Sequence, residues 1–212
     1  MTMIRVMLVD DHAIVRMGFR LLLGEAPDIC VVAEADSGEA ACARLREEAI
    51  DVVVTDLSMP GIGGLTAVER IRARHPEVRL LVLSAHQDPT HVRRALKAGA
   101  LGYLCKRTAP EALPAAIRQL AKGQAYLDRD LAAEFVLHDM MGHNDPVSTL
   151  STREFEVFMQ LAQGRAVNQI AQQLSVSPST VGTHLYHVKQ KLGAANAAEL
   201  TMTAIRAGLI EA

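Results

Sequence analysis

The order of apolar and polar positions divides the chain into two patterns. From Ile4 to Gly123 short apolar runs alternate with amphipathic stretches. Ile4–Asp10, Ile29–Ala35, Arg79–Ala85 and Leu101–Lys106 read as strands, and so does Val52-Val53-Val54, a β-branched run suited to a sheet buried on both faces. Between them, helices are predicted around Val15, Phe19 and Leu22, over Ser37–Glu48, over Leu65–His75 with Pro76 just beyond, around Val92 and Leu96, and around Leu113, Ile117 and Leu120. Gly99 and Gly123 stop the last two. Five successive βα units predict an α/β fold, a doubly wound, five-stranded parallel sheet covered by helices on both faces.

After Gln124 the alternation breaks. Up to Val147 the segment carries Asp128, Asp130, Glu134, Asp139 and Asp145 against Arg129, five acids to one base, or −4. It reads as an acidic linker with one helix, Asp128 as cap and Leu131 and Phe135 at i, i+4, ending before Gly142-His143-Asn144-Asp145-Pro146. The rest is helical throughout. Ser151 and Glu154 have capping-box spacing, and Leu150 with Phe155 can close a hydrophobic staple across it. A short helix with Ile170, Ala171 and Leu174 inward follows, then one opened by Ser177-Pro178 whose apolar stripe is Val181, Leu185, Val188 and Leu192. A fourth runs from Asn196 to about Ala207. The expected domains are therefore 1–123, a linker at 124–147, and a small all-α four-helix domain at 148–212.

Composition adds little to this picture. Of 212 residues half are hydrophobic, yet Trp is absent, so Leu, Val, Ile, Ala and the 9 Met must fill the cores. A formal charge of −2 gives no global sign of a nucleic-acid binder. No apolar run reaches membrane-spanning length, and the apolar opening ends in two acids, so a soluble, cytoplasmic, non-exported protein is expected. Cys30, Cys42 and Cys105 form no C-x-x-C and are expected to be buried thiols.

The strand ends carry the chemistry. Strand one ends at Asp10-Asp11, strand three at Asp56, strand four at Ser84 and strand five at Lys106. Ligands in open α/β sheets collect beyond these carboxyl ends, and in the flavodoxin-like order 2-1-3-4-5 strands one and three are neighbours. Three carboxylates then share one volume. At an effective dielectric near 20, charges ~5 Å apart repel by roughly 3 kcal/mol per pair. A raised pKa on one carboxyl would relieve this; a hard divalent cation, Mg²⁺, relieves it more economically. With a carboxylate nucleophile, a hydroxyl and an ammonium group beside the metal, phosphoryl transfer to Asp56 is the natural reaction. His12 reads as a helix-start surface residue. A haloacid-dehalogenase-type phosphatase would need an acid two residues after its nucleophile, and Asp56 is followed by Leu57 and Ser58.

Asp10-Asp11, Asp56 with Met59-Pro60-Gly61, Ser84-Ala85 and Gly102-Tyr103-Leu104 before Lys106 resemble the receiver domain of two-component response regulators. The resemblance implies that Asp56 accepts a phosphoryl group from a sensor histidine kinase and that Asp10, Asp11 and Asp56 hold Mg²⁺. It also implies that Lys106 contacts the phosphoryl oxygens and that Ser84 and Tyr103 relay the change, Tyr103 turning inward. Ser84 stands where Thr is frequent and keeps the hydroxyl.

Short helices joined by a turn fit a helix-turn-helix. Leu150 to Ile210, with LSTRE, Ile170-Ala171, S-P-S-T-V-x-x-H, K-L-G and R-A-G-L-I, resembles the LuxR-type helix-turn-helix of NarL/FixJ-class regulators. That resemblance implies a recognition helix over Pro178–Leu192 and a dimer contact on the fourth helix. Gly182 and Val167-Asn168-Gln169 depart from the family pattern, which commonly has Lys at the first and Asn-Lys-Glu at the second. Thr183, Tyr186 and Lys189 become the DNA-reading candidates, with Ser179 and Thr180 suited to phosphate. From Ser148 onward five Arg and Lys face four acids, a weak electrostatic drive for one copy. The expected protein is a phosphorylation-switched transcription regulator that binds promoter double-stranded DNA as a homodimer.

Overall fold

The computed structural model describes residues 3–140 and 146–210; the turn expected at Gly142-His143-Asn144-Asp145 lies outside the described residues. Strands β1 (Ile4–Val9), β2 (Ile29–Ala35), β3 (Val52–Thr55), β4 (Arg79–Ser84) and β5 (Gly102–Cys105) alternate with helices α1 (Ala13–Gly24), α2 (Gly38–Arg44), α3 (Gly64–Arg74), α4 (Pro89–Ala98) and α5 (Ala109–Ala121). The five expected βα units are all present. A sixth strand, β6 (Tyr126–Leu127), corrects the expected count, and the parallel sheet runs β2-β1-β3-β4-β5-β6. It pairs Gly102 with Tyr126 and Tyr103 with Leu127, covering the edge of β5. Two residues are too few to register as a period, which is why this strand was invisible in the pattern.

Alternation along each strand splits the core between the two faces. Val6, Leu8, Val52, Val54, Leu81, Leu83 and Leu104 pack with Leu113, Ile117 and Leu120 of α5 and Leu23 of α1. Helix α2 stops at Arg44, short of the expected Glu48, and the chain beyond it turns so that Glu48 and the Ala49 carbonyl meet Arg5 of β1. Cys105 is buried as expected, whereas Cys30 is exposed, because β2 is an edge strand.

The chain divides into two compact units, Met1–Phe135 and Val136–Ala212, so the boundary falls inside α6 (Arg129–Met140). Asp128 precedes that helix and accepts from the Asp130 N–H at 3.4 Å, while its other oxygen takes the Thr108 hydroxyl at 2.6 Å. In the second unit a short 3-10 turn (Pro146–Thr149) leads into α7 (Thr152–Ala162), α8 (Val167–Gln173), α9 (Pro178–Leu192) and α10 (Ala197–Arg206). The Ser151–Glu154 capping box is formed in both directions. Val157, Ile170, Ala171, Leu174 and Val181 make the core where α7, α8 and α9 meet. Ser175, at φ 52°, makes the left-handed turn between α8 and α9.

Candidate functional site

Register places the acids. Val9 of β1 pairs with Thr55 of β3, so the next residues, Asp10 and Asp56, leave the sheet side by side at its carboxyl edge. Both are buried. The Asp56 N–H donates to the Val9 carbonyl at 2.9 Å, which ties the two strand ends together. Gly64, at the start of α3, touches the same place. A Cβ there would lie 2.2 Å from the Asp56 carbonyl oxygen and 2.5 Å from Leu57 Cα, so only glycine lets the helix begin against the Asp56 backbone.

Lys106 bridges the two carboxylates. Its Nζ donates to Asp10 Oδ2 at 2.6 Å and to Asp56 Oδ2 at 2.9 Å. Burial works against the ammonium, but these hydrogen bonds outweigh it and hold Lys106 above the usual lysine range. Asp56 Oδ1 accepts the Leu57 N–H at 2.7 Å, so both oxygens of the nucleophile candidate are oriented. His12 is the exposed helix-start residue expected, the N-cap of α1 with its side chain 62% exposed, and it also reaches the acids. Its N–H donates to Asp10 Oδ1 at 2.8 Å, and its Nδ1 lies 3.0 Å from Asp11 Oδ1. Arg16 of α1 braces the Asp10 carbonyl, a contact across a loop that no spacing rule would single out.

The donor chemistry fits a hard cation. Ligand atoms of Asp10, Asp11, His12 and Asp56 lie within 4.8 Å of one another, and Asp11 Oδ1 is buried without a hydrogen bond among the described residues. Carboxylate oxygens with one unsatisfied acceptor form an acidic pocket typical of Mg²⁺.

Ser84 and Tyr103 lie on β4 and β5, the next two strands of the sheet beyond β3. Ser84 is fully buried, and its Oγ accepts the His86 N–H at 3.1 Å. Tyr103 is also fully buried and donates to the His86 carbonyl at 2.7 Å, so the ring expected to turn inward already stands inside. Burial pushes its phenol well above the usual tyrosine range, while a hydrogen bond with Ser84 works the other way.

In the second unit α9 carries Ser179, Thr183 and Tyr186 at i, i+4 and i+7, one helical face, opposite the Val181–Val188 stripe. Tyr186 is 61% exposed, with His187 edge-on at 5.8 Å. The remaining hydroxyls and cations are engaged within the chain, the Thr183 hydroxyl donating to the Ser179 carbonyl at 3.1 Å. Ser179 and Thr180 share hydroxyl contacts of 2.7 and 2.8 Å with the cap Ser177. Lys189 donates to the Ala195 carbonyl at 3.3 Å, and Lys191 to the buried Glu154 at 2.6 Å.

With these two sites in view, residues 6–118 match the family of response regulator receiver domains, and residues 148–204 match the bacterial regulatory proteins of the luxR family. Response regulator UvrY of Escherichia coli (strain K12) is 40% identical over 99% of this chain and 97% of its own. The chain belongs to the response regulators. RcsB from Salmonella enterica serovar Typhimurium, solved bound to promoter rprA in the presence of phosphomimetic BeF3⁻, is 27% identical, with TM-score 0.71, over 95% of this chain and 98% of that one. A structure of two RcsB dimers on two parallel DNAs is 28% identical, with TM-score 0.61, over 96% of this chain and 98% of that one. This response regulator is a phosphorylation-controlled, DNA-binding transcription regulator of the two-component type, of the NarL/FixJ class, and not a conventional enzyme. No described helix is long and apolar enough to cross a membrane.

Proposed function

We propose that Asp56 is the phosphoacceptor and that a sensor histidine kinase, through a phosphohistidine, is the donor. The observation that carries this is the paired carboxylate–ammonium geometry: one Lys106 Nζ within 2.9 Å of Asp56 and 2.6 Å of Asp10. An Asp56 oxygen attacks phosphorus, the P–N bond breaks, the imidazole leaves with the electron pair and takes up a proton, and an acyl phosphate forms. Lys106 then transfers its contact from carboxylate to phosphoryl oxygen. Asp10, Asp11 and Asp56 would hold Mg²⁺, which when bound neutralises charge on the phosphoryl oxygens. Ser84 and Tyr103, joined through the His86 backbone, are the residues whose positions report the phosphoryl group to the α4–β5 face.

The readout is DNA. Residues 1–123 serve as receiver, 124–147 as connector and 148–212 as the DNA-binding domain, with Thr183 and Tyr186 toward base edges and Ser179, Thr180 and Lys189 toward phosphates. Phosphorylation favours a homodimer on a promoter, in the cytoplasm. The RcsB complexes, with dimers on DNA and BeF3⁻ as phosphomimetic, support this reading by likeness.

Labelling with acetyl phosphate and Mg²⁺ tests the acceptor. Wild type should gain one phosphoryl group per chain by mass spectrometry and Asp56→Asn none; undiminished labelling of the variant would place the acceptor elsewhere. Chelating Mg²⁺ should abolish labelling of the wild type.

A further inference from the structure

The loop from β4 to α4 and the first turn of α4 hold a second cluster of ligating side chains, separate from the acidic pocket. Asp88 caps α4, its Oδ1 accepting the His91 N–H at 3.0 Å, and its Oδ2 lies 2.6 Å from His91 Nδ1. The His91 side chain is 6% exposed. An Asp–His pair of this kind is an ordinary helix cap, and alone it would need no further account. The second imidazole changes the chemistry. His86, half-buried, lies face to face on His91, with ring centroids 4.2 Å apart and planes 3° from parallel. Donor atoms of His86, Asp88 and His91 all lie within 4.8 Å of one another.

We propose that His86, Asp88 and His91 form a binding site for a transition-metal dication of the Zn²⁺ type. Two imidazoles and one carboxylate are a borderline-soft donor set, suited to Zn²⁺ and its first-row neighbours, whereas Mg²⁺ takes oxygens. The two clusters of this receiver thus sort cations by donor chemistry.

The geometry states what must move. Ring nitrogens bind in the plane of the ring, and two parallel planes share no point, so the stacked pair cannot ligate one ion as it stands. Asp88 holds His91, so His86 is the ring that turns. With metal–ligand bonds of about 2.0–2.2 Å, tetrahedral ligand atoms stand roughly 3.4 Å apart, so the cluster contracts by on the order of an ångström. Three protein ligands leave the fourth position to water.

Loading would reach the switch through the backbone. His86 receives the Tyr103 hydroxyl on its carbonyl and gives its N–H to Ser84, so an ion that fixes the His86 side chain also steadies both contacts. The site itself does not depend on Asp56 being the phosphoacceptor.

The test is a Zn²⁺ titration of the full-length protein in excess Mg²⁺, with a chromophoric chelator as competitor. One Zn²⁺ per chain is expected. His86→Phe, which keeps a stacked ring without a ligand nitrogen, and His91→Ala should each weaken binding about tenfold or more. Asp10→Asn and Asp56→Asn should keep the affinity, and circular dichroism melts establish that each variant is folded. Undiminished affinity in folded His86→Phe, loss of binding in Asp10→Asn, or no binding by wild type each overturns the proposal. As a second readout, Zn²⁺ should raise the melting temperature of wild type and, at the same concentration, raise that of His86→Phe less.

Discussion

Gly64 and Gly182 are both helical glycines, and the surroundings of their absent Cβ atoms set them apart. At Gly64 that atom would strike the backbone of Asp56 and Leu57; at Gly182 nothing lies within 4 Å. Gly64→Ala is therefore expected to shift Asp56, destabilise the receiver by about 1–3 kcal/mol and slow acetyl-phosphate labelling, measured by denaturant unfolding and mass spectrometry. Gly182→Ala is expected to stabilise the DNA-binding unit by about 0.5–1 kcal/mol, read from the same unfolding experiment. Gly182→Lys should also tighten DNA retention in a gel shift at fixed salt by restoring a cation beside Tyr186. In the sequence the two glycines look alike, because a clash with backbone from another element has no local signature. The charged residues of the pocket differ: Asp10, Asp11, Asp56 and Lys106 stand out in the sequence because each follows an apolar run. The contact of Arg16 was not legible there, since it depends on how the β1–α1 loop folds back over the carboxylates.

Helices α7 and α9 are coupled by one carboxylate. Glu154 closes the capping box at the Ser151 N–H, 2.8 Å away, and receives Lys191 from 37 positions along the chain. Burial raises its proton affinity, but the Lys191 and Ser151 hydrogen bonds outweigh this and hold its pKa below the usual 4.5. A depressed folded-state pKa gives stability that is fully present above the unfolded value and is lost as pH falls through the folded one. The DNA-binding unit should therefore weaken below about pH 4.5. Glu154→Gln should lower its stability by about 1–2 kcal/mol at pH 7 and flatten the acid slope, so that the thermal melting curves of variant and wild type converge in acid. The cap was readable three residues apart, whereas the tie to Lys191 needed the helices in place. On the receiver side, β2 and α4 match their apolar runs closely, while α2 ends early because Arg5, remote in sequence, captures the segment after it.

For the whole molecule, cations matter more by availability than by number. Lys191 is paired with Glu154 and Arg153 with Glu156, so one copy offers few charges to phosphate. Counterion release gives a slope of roughly −0.9 in log K against log salt per phosphate neutralised. Beryllofluoride with Mg²⁺ should roughly double that slope if it pairs two copies on DNA, and fluorescence anisotropy over a salt series measures it. An unchanged slope would mean that the activated protein binds as one copy. The overall plan, a parallel sheet followed by short helices, was legible from periodicity because nearly every element has its own apolar run. Strand β6 was not, and it bears on where the molecule can be divided. A fragment cut at Gly123 would strip Tyr126 and Leu127 from β5 and leave the hydrogen-bonding edge beside Tyr103 open to any strand in solution. Such a fragment should self-associate where one ending at Leu137 stays monomeric in light scattering. The smallest autonomous phosphoacceptor is then longer than its five βα repeats, and a chimaera that grafts this receiver onto another output domain should carry the extra strand with it.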